Sequence, residues 1–142
     1  MKIGFQCSSF DLFHTGHVAM LKMEKELCDY LKVALQVDPS EDRREKNKPI
    51  QTIYERYVHL QGCKYVDEIL VYSTEEDLLN LIKSQTMHIR FLSEEYIGKD
   101  FTGKQYCIDN DIEIHYHKRQ HTFSSSGLRK RVALAEENER NS

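Results

Sequence analysis

Two histidines, His14 and His17, flank Gly16 just after a polar turn, Cys7-Ser8-Ser9-Phe10-Asp11-Leu12-Phe13. Imidazoles aimed at one point can donate hydrogen bonds to phosphate oxygens. A second cluster lies near the other end of the chain, where Arg119 precedes Phe123-Ser124-Ser125-Ser126-Gly127-Leu128-Arg129. Hydroxyls, guanidinium forks and the start of a helix all suit phosphate. The chemistry common to both clusters is recognition of a nucleotide's phosphates. No G-x-x-x-x-G-K-[ST] segment is present, so this is not a P-loop. A zinc pair is the other chemistry open to two such histidines. It needs further ligands, and nothing places His115 and His117 beside His14.

These residues need elements to position them. Lys2–Gln6 is an apolar run suited to a buried strand, and Gly16–Leu27 has apolar residues at helical spacing. With Gly16 at the helix start, both imidazoles project toward a first turn with unpaired N–H groups, and the bare glycine admits an anion. Tyr30–Val37 reads as a second strand and Asp38–Lys48 as a charged loop. Gln51–Gly62 reads as a helix, Glu68–Tyr72 as a strand, and Thr74–Ser84 as a helix capped by Thr74 with Asp77 as its box partner. His88–Leu92 and Asp111–His117 complete five strands, and Ser124–Glu137 is a last helix before a polar, frayed tail over 138–142. Strands alternating with helices predict an α/β fold with a mostly parallel five-stranded sheet and helices on both faces. Ligands of such sheets bind outside the carboxyl ends of the strands. That rim gathers the histidine turn, the charged loop, the segment after the fourth strand and the serine run.

The bulk numbers fit one domain spanning 1–142. A hydrophobic content of 39% with 30% charged residues describes a packed globular chain. A net charge of −3 argues against a nucleic-acid-binding surface. No apolar run reaches membrane-spanning length and no secretory apolar segment follows Met1, so a cytoplasmic protein without a membrane partner is expected. Cys7, Cys28, Cys63 and Cys107 form no C-x-x-C pair, which predicts reduced thiols and no cysteine zinc site.

Phe10-Asp11-x-x-His14-x-Gly16-His17 resembles the H-x-G-H nucleotidyltransferases, and most of all the small cytidylyltransferases that act on glycerol-3-phosphate, choline phosphate or ethanolamine phosphate. The similarity extends through Glu55-Arg56-Tyr57, Cys63-Lys64-Tyr65-Val66-Asp67-Glu68, Arg119 and the serine run. The chain departs from the family pattern at Ser8-Ser9, at Ser93-Glu94-Glu95-Tyr96 and at Gln120. The resemblance implies a Rossmann-like nucleotidyltransferase fold and transfer of a cytidylyl group from CTP, with Mg²⁺, to a small phosphorylated alcohol, glycerol-3-phosphate first. It also implies a homodimer, with the Lys64–Tyr72 region as a plausible interface.

The resemblance assigns roles as well. His14, His17, Lys48 and Arg119 would be catalytic. Ser8, Ser9, Phe10, Asp11, Gly16, Ser124, Ser125, Ser126 and Arg129 would bind the nucleotide, Asp11 chiefly by holding the turn. Asp38, Lys46, Arg56 and Lys64 would meet the acceptor. No residue is assigned as a metal ligand. Two other readings stay open: an adenylyltransferase using ATP, which the Phe123–Arg129 segment also resembles, and a catalytically inactive nucleotide-binding module.

Overall fold

Successive side chains of a strand point to opposite faces of a sheet, and in this chain both faces are covered. The computed structural model describes residues 1–119 and 122–142, so the departure at Gln120 lies outside the described residues. Its strands are β1 (Ile3–Ser8), β2 (Tyr30–Gln36), β3 (Glu68–Tyr72), β4 (Ile89–Ser93) and β5 (Glu113–His117). They pair in the order β3-β2-β1-β4-β5, and every pairing is parallel, as the alternation predicts. The helices are α1 (Thr15–Glu26), α2 (Ile53–Gln61), α3 (Glu75–Ser84), α4 (Lys104–Asp109) and α5 (Ser125–Arg140).

On one face Leu31, Val33, Leu35, Ile89 and Phe91 pack against Leu21 of α1 and Leu60 of α2. On the other, Phe5, Ala34 and Tyr72 meet Leu78 and Ile82 of α3, with Tyr106 of α4 beside them. Each fully buried Leu, Ile or Phe here contributes roughly 1.5–3 kcal/mol of transfer free energy. β1 runs through the middle, where space is short. A Cβ on Gly4 would lie 2.6 Å from the Phe91 ring, so only glycine lets that ring sit over the strand.

Helix starts follow their caps. Thr74 with Asp77 opens α3 by a reciprocal capping box, as expected, and Thr52 with Glu55, for which the sequence carried no reading, does the same for α2. The differences are local. β1 continues to Ser8 and β4 to Ser93, because pairing with β2 and β5 extends to those positions. Helix α4 and a 3-10 turn over Glu94–Tyr96 occupy a stretch that lacks clear periodicity in the sequence. The tail expected to fray instead carries α5 on to Arg140, since no Gly or Pro interrupts it. All four cysteines are free.

Candidate functional site

The strand order reverses between β1 and β4, and a crevice forms outside the carboxyl ends of such a pair. A cavity of about 500 Å³ lies there. Gln6, Cys7, Ser8 and Ser9 of β1 and its turn line it, with Leu92 and Ser93 of β4 and His117 of β5. The loop after β2 contributes Arg43 and Lys46.

The turn leaving β1 is strained on purpose. Phe10 and Leu12 both adopt left-handed backbone (φ 49° and 52°), which costs a non-glycine residue about 1 kcal/mol or more. The surroundings hold it in place. Phe10 is buried in the core beside α1, and the Leu12 N–H donates to the Gln51 side-chain oxygen, Oε1, at 2.8 Å. The Asp11 carboxylate accepts the Ile50 and Gln51 N–H groups at 2.9 and 3.0 Å and the Arg129 Nη2 at 3.0 Å. Burial alone would raise the Asp11 pKa, but those donors outweigh it and hold the carboxyl below its ordinary value. Asp11 therefore ties the turn to both the approach to α2 and the face of α5, which matches its expected turn-holding role.

His14 is the N-cap of α1, and the two histidines cap it reciprocally. His14 Nδ1 accepts the Gly16 N–H at 3.0 Å, and His17 Nδ1 accepts the His14 N–H at 3.2 Å. A nitrogen that accepts cannot carry the proton, so both neutral rings hold theirs on Nε2. The sequence leaves the tautomer open, and the cap decides it. Of the first-turn N–H groups, that of Gly16 is taken up by the cap, donating to His14 Nδ1. The two rings stack at 3.9 Å between centroids, and Phe13 stacks on His17 at 5.5 Å.

The serine run comes to the same place. Ser125 Oγ lies 3.3 Å from His14 Nε2 and donates to the Asp11 carbonyl at 3.1 Å. With the Nε2–H tautomer, the chain of donors runs from His14 through Ser125 to Asp11. Ser124 has the plainer task of N-cap, accepting the Gly127 N–H at 2.9 Å, while Ser126 is exposed on the first turn of α5.

The cations divide. Lys46 lines the cavity, whereas the exposed Lys48 sits close enough to Asp38 to help depress its pKa. The main cause of that depression is the Ser40 hydroxyl, donating at 2.6 Å, so Asp38 caps the turn that follows β2. Arg119 donates to the Phe123 carbonyl and closes the approach to α5. Arg56, expected to meet the acceptor, is instead 1% exposed. Its guanidinium donates to the carbonyls of Gln51, Ser9, Gln36 and Val37, bracing the ends of β1 and β2 from beneath. A lone arginine matching a phosphate-binding pattern cannot be told by sequence from one that satisfies buried carbonyls. Lys64, expected beside the acceptor too, lies in a separate groove with Phe13, Val58, His59 and Tyr65, its ammonium 5.3 Å from the Tyr65 ring centre.

Two cavity residues, Arg43 and Arg90, carry no sequence expectation, and a third, His117, was weighed only as a zinc ligand. Arg43 pairs with Glu75 at 3.2 Å. Arg90 is buried on β4, and its signal was available: a lone charge inside the apolar run His88-Ile89-Arg90-Phe91-Leu92. His117 lies 3.3 Å from the fully buried Glu24, which accepts Gln6 Nε2 at 2.6 Å. Burial pushes the Glu24 carboxyl above its usual range, only partly offset by His117 and Gln6. Among the described residues no three His, Cys, Asp or Glu side chains converge as metal ligands, and no helix is long and apolar enough to cross a membrane.

Residues 5–131 match the cytidylyltransferase-like family model. A glycerol-3-phosphate cytidylyltransferase of Bacillus subtilis is 30% identical over 134 residues, covering 94% of this chain and 98% of that protein. An ethanolamine-phosphate cytidylyltransferase of Dictyostelium discoideum is 35% identical over 129 residues. The chain spans only 34% of that relative's length, and 22% and 15% of two others named for ethanolamine phosphate. An FAD synthase of Pyrococcus horikoshii is 39% identical over 107 residues, 74% of this chain and 72% of that protein. A lipopolysaccharide core biosynthesis protein from Thermoplasma volcanium has the same fold, with a TM-score of 0.67 at 21% identity over 87% of this chain and 99% of that one. A family match that spans nearly the whole chain and a relative covered over nearly its full length show that this chain belongs to the cytidylyltransferase-like family.

Proposed function

We propose that the protein transfers a cytidylyl group from CTP to a small phosphomonoester, with glycerol-3-phosphate the first acceptor to try. The observation that carries this reading is the 3.3 Å approach of Ser125 Oγ to His14 Nε2, which joins the starts of α1 and α5 at one point. An oxygen of the acceptor's phosphate attacks the α-phosphorus of CTP. The bond from that phosphorus to the bridging oxygen breaks, and pyrophosphate leaves. His14 and His17 donate from Nε2 to oxygens of the reacting phosphate, where negative charge grows in the transition state. Ser125, Ser126 and Arg129 hold the triphosphate at the start of α5, and Arg119 supplies a further cation there. Lys46, with Lys48 behind it, draws in the acceptor's phosphate.

Mg²⁺ brought by the triphosphate would supply charge neutralisation for the departing pyrophosphate, and no residue of this chain is assigned as its ligand. A homodimer joined around Lys64–Tyr72 belongs to the same proposal. β3 in that region is an edge strand with Val71 exposed, and the mass in solution tests it.

A second reading has one observation in its favour. The likeness to proteins named FAD synthase, whose product contains adenine, suits adenylyl transfer from ATP. Pyrophosphate release measured with CTP and with ATP, each against a panel of phosphomonoesters, separates the two. CTP-dependent release with a phosphorylated alcohol is the expected result. Release with ATP alone overturns the assignment of the nucleotide. Thermal stabilisation by nucleotide without release from any acceptor leaves a binding module.

A further inference from the structure

The cavity spans the carboxyl end of β1, from Met20 on the α1 side of the sheet to Leu78 on the α3 side. On the α3 side Cys7, Tyr72, Arg90, Phe101 and Thr102 line it, with the carboxylates of Glu75 and Asp100. Lys46 lines the same cavity and no described residue from the starts of α1 and α5 does, so on the proposed reaction this half receives the acceptor.

Arg90 is the unusual group in that chamber. It is 2% exposed, yet no carboxylate lies within ion-pair distance of it among the described residues. Nη1 donates to the Thr102 carbonyl at 2.5 Å and Nη2 to Cys7 Sγ at 3.6 Å, while Nε–H finds no partner. The guanidinium lies 5.1 Å from the Phe101 ring centre and 5.8 Å from that of Phe5, which favours the charge without neutralising it. The nearby carboxylate of Glu75 is already engaged, by Arg43 on one oxygen and the Thr102 hydroxyl on the other. The fold makes room for this arrangement. Gly103 is left-handed, and a Cβ there would come 2.9 Å from Arg90 Nη1. A buried guanidinium with unused donors is costly unless something supplies oxygen acceptors.

We infer that Arg90 determines acceptor specificity: it donates to hydroxyl or carboxylate oxygens on the tail of the phosphomonoester and rejects a tail that ends in an ammonium. The inference rests on the proposed cytidylyl transfer and narrows its substrate class. A polar tail satisfies the fork. A cationic tail brings like charge against the buried guanidinium and leaves the fork unpaired, which separates substrates by two or more orders of magnitude.

The test is pyrophosphate release with CTP and four phosphomonoesters that differ in their tails: glycerol-3-phosphate, 3-phosphoglycerate, ethanolamine phosphate and choline phosphate. At least one oxygen-bearing tail should exceed both cationic tails by about 100-fold in kcat/KM. In Arg90→Met that ratio should fall below about 10-fold, mainly through KM for the acceptor, with KM for CTP and the CTP-induced rise in Tm unchanged. Arg90→Lys, which keeps a charge but loses the fork, should fall between the two. The ranking of tails by the wild type needs no variant, so it decides the matter even where Arg90→Met does not fold. Equal or better use of ethanolamine or choline phosphate overturns the inference and leaves cytidylyl transfer standing. So does an unchanged preference in a folded Arg90→Met. Absence of release with all four acceptors, despite stabilisation by CTP, overturns the transfer reading and this inference together.

Discussion

At the scale of single residues, His14 has two tasks that one substitution can separate. Its Nδ1 caps α1 and its Nε2–H faces Ser125. Asparagine is as good an N-cap as any residue but has no donor at the Nε2 position. His14→Asn is therefore expected to melt within a few degrees of the wild type while kcat for nucleotidyl transfer falls by about 10²–10³, the scale of losing one preorganised donor. His14→Ala should lose the cap as well, costing about 1 kcal/mol more. Turnover near normal in His14→Asn would mean the imidazole serves the helix alone. Stopped assays alongside thermal melts of the same preparations make the measurement.

At the scale of elements, the link between β4 and α4 is where the backbone does something a sequence pattern does not announce. Gly103 is the N-cap of α4 at φ 86°, and a Cβ there would also lie 2.8 Å from Ile82 Cδ1 of α3. Gly103→Ala must accept a left-handed alanine and shift either Ile82 or Arg90. A loss of about 1–3 kcal/mol in urea unfolding is expected, with the slope unchanged. A loss below 0.5 kcal/mol, on the order of a surface change, would show that the link relaxes freely. The helices that open with Thr52 and Thr74 are simpler cases. Their cap pairs are local, three residues apart; the Thr74 pair was read from the sequence and the Thr52 pair was not.

At the scale of the whole molecule, Glu24 couples proton binding to folding. The groups facing its carboxyl are Gln6 from β1 and His117 from β5. Oε2 has no hydrogen-bond partner. Burial is the largest influence and raises the folded pKa above the ordinary 4.5. For a raised carboxyl the sign is fixed: its contribution is fully present below the unfolded value and declines as pH rises toward the folded one. Glutamine carries no such titration. The Tm of Glu24→Gln relative to the wild type should therefore improve from pH 5 to pH 8. A constant difference between the two pH values would mean that His117 and Gln6 accommodate the carboxylate fully.

The sequence by itself determined the alternation of strands and helices, their caps, and the two phosphate-suited clusters, because periodicity, capping and motif spacing are local properties of the chain. It also determined that the clusters would share a rim, since right-handed parallel crossovers bring every strand's carboxyl end to one edge. Only the tertiary structure decided what each polar group does once there. Arg56 matched a substrate-binding pattern and satisfies buried carbonyls; Arg90 matched nothing and lies buried in the cavity wall with its Nε–H unpartnered. The tautomer of the histidine pair likewise came from the cap geometry. The reason is physical: a side chain's role depends on which donors and acceptors burial leaves near it, and those neighbours come from strands far apart in sequence.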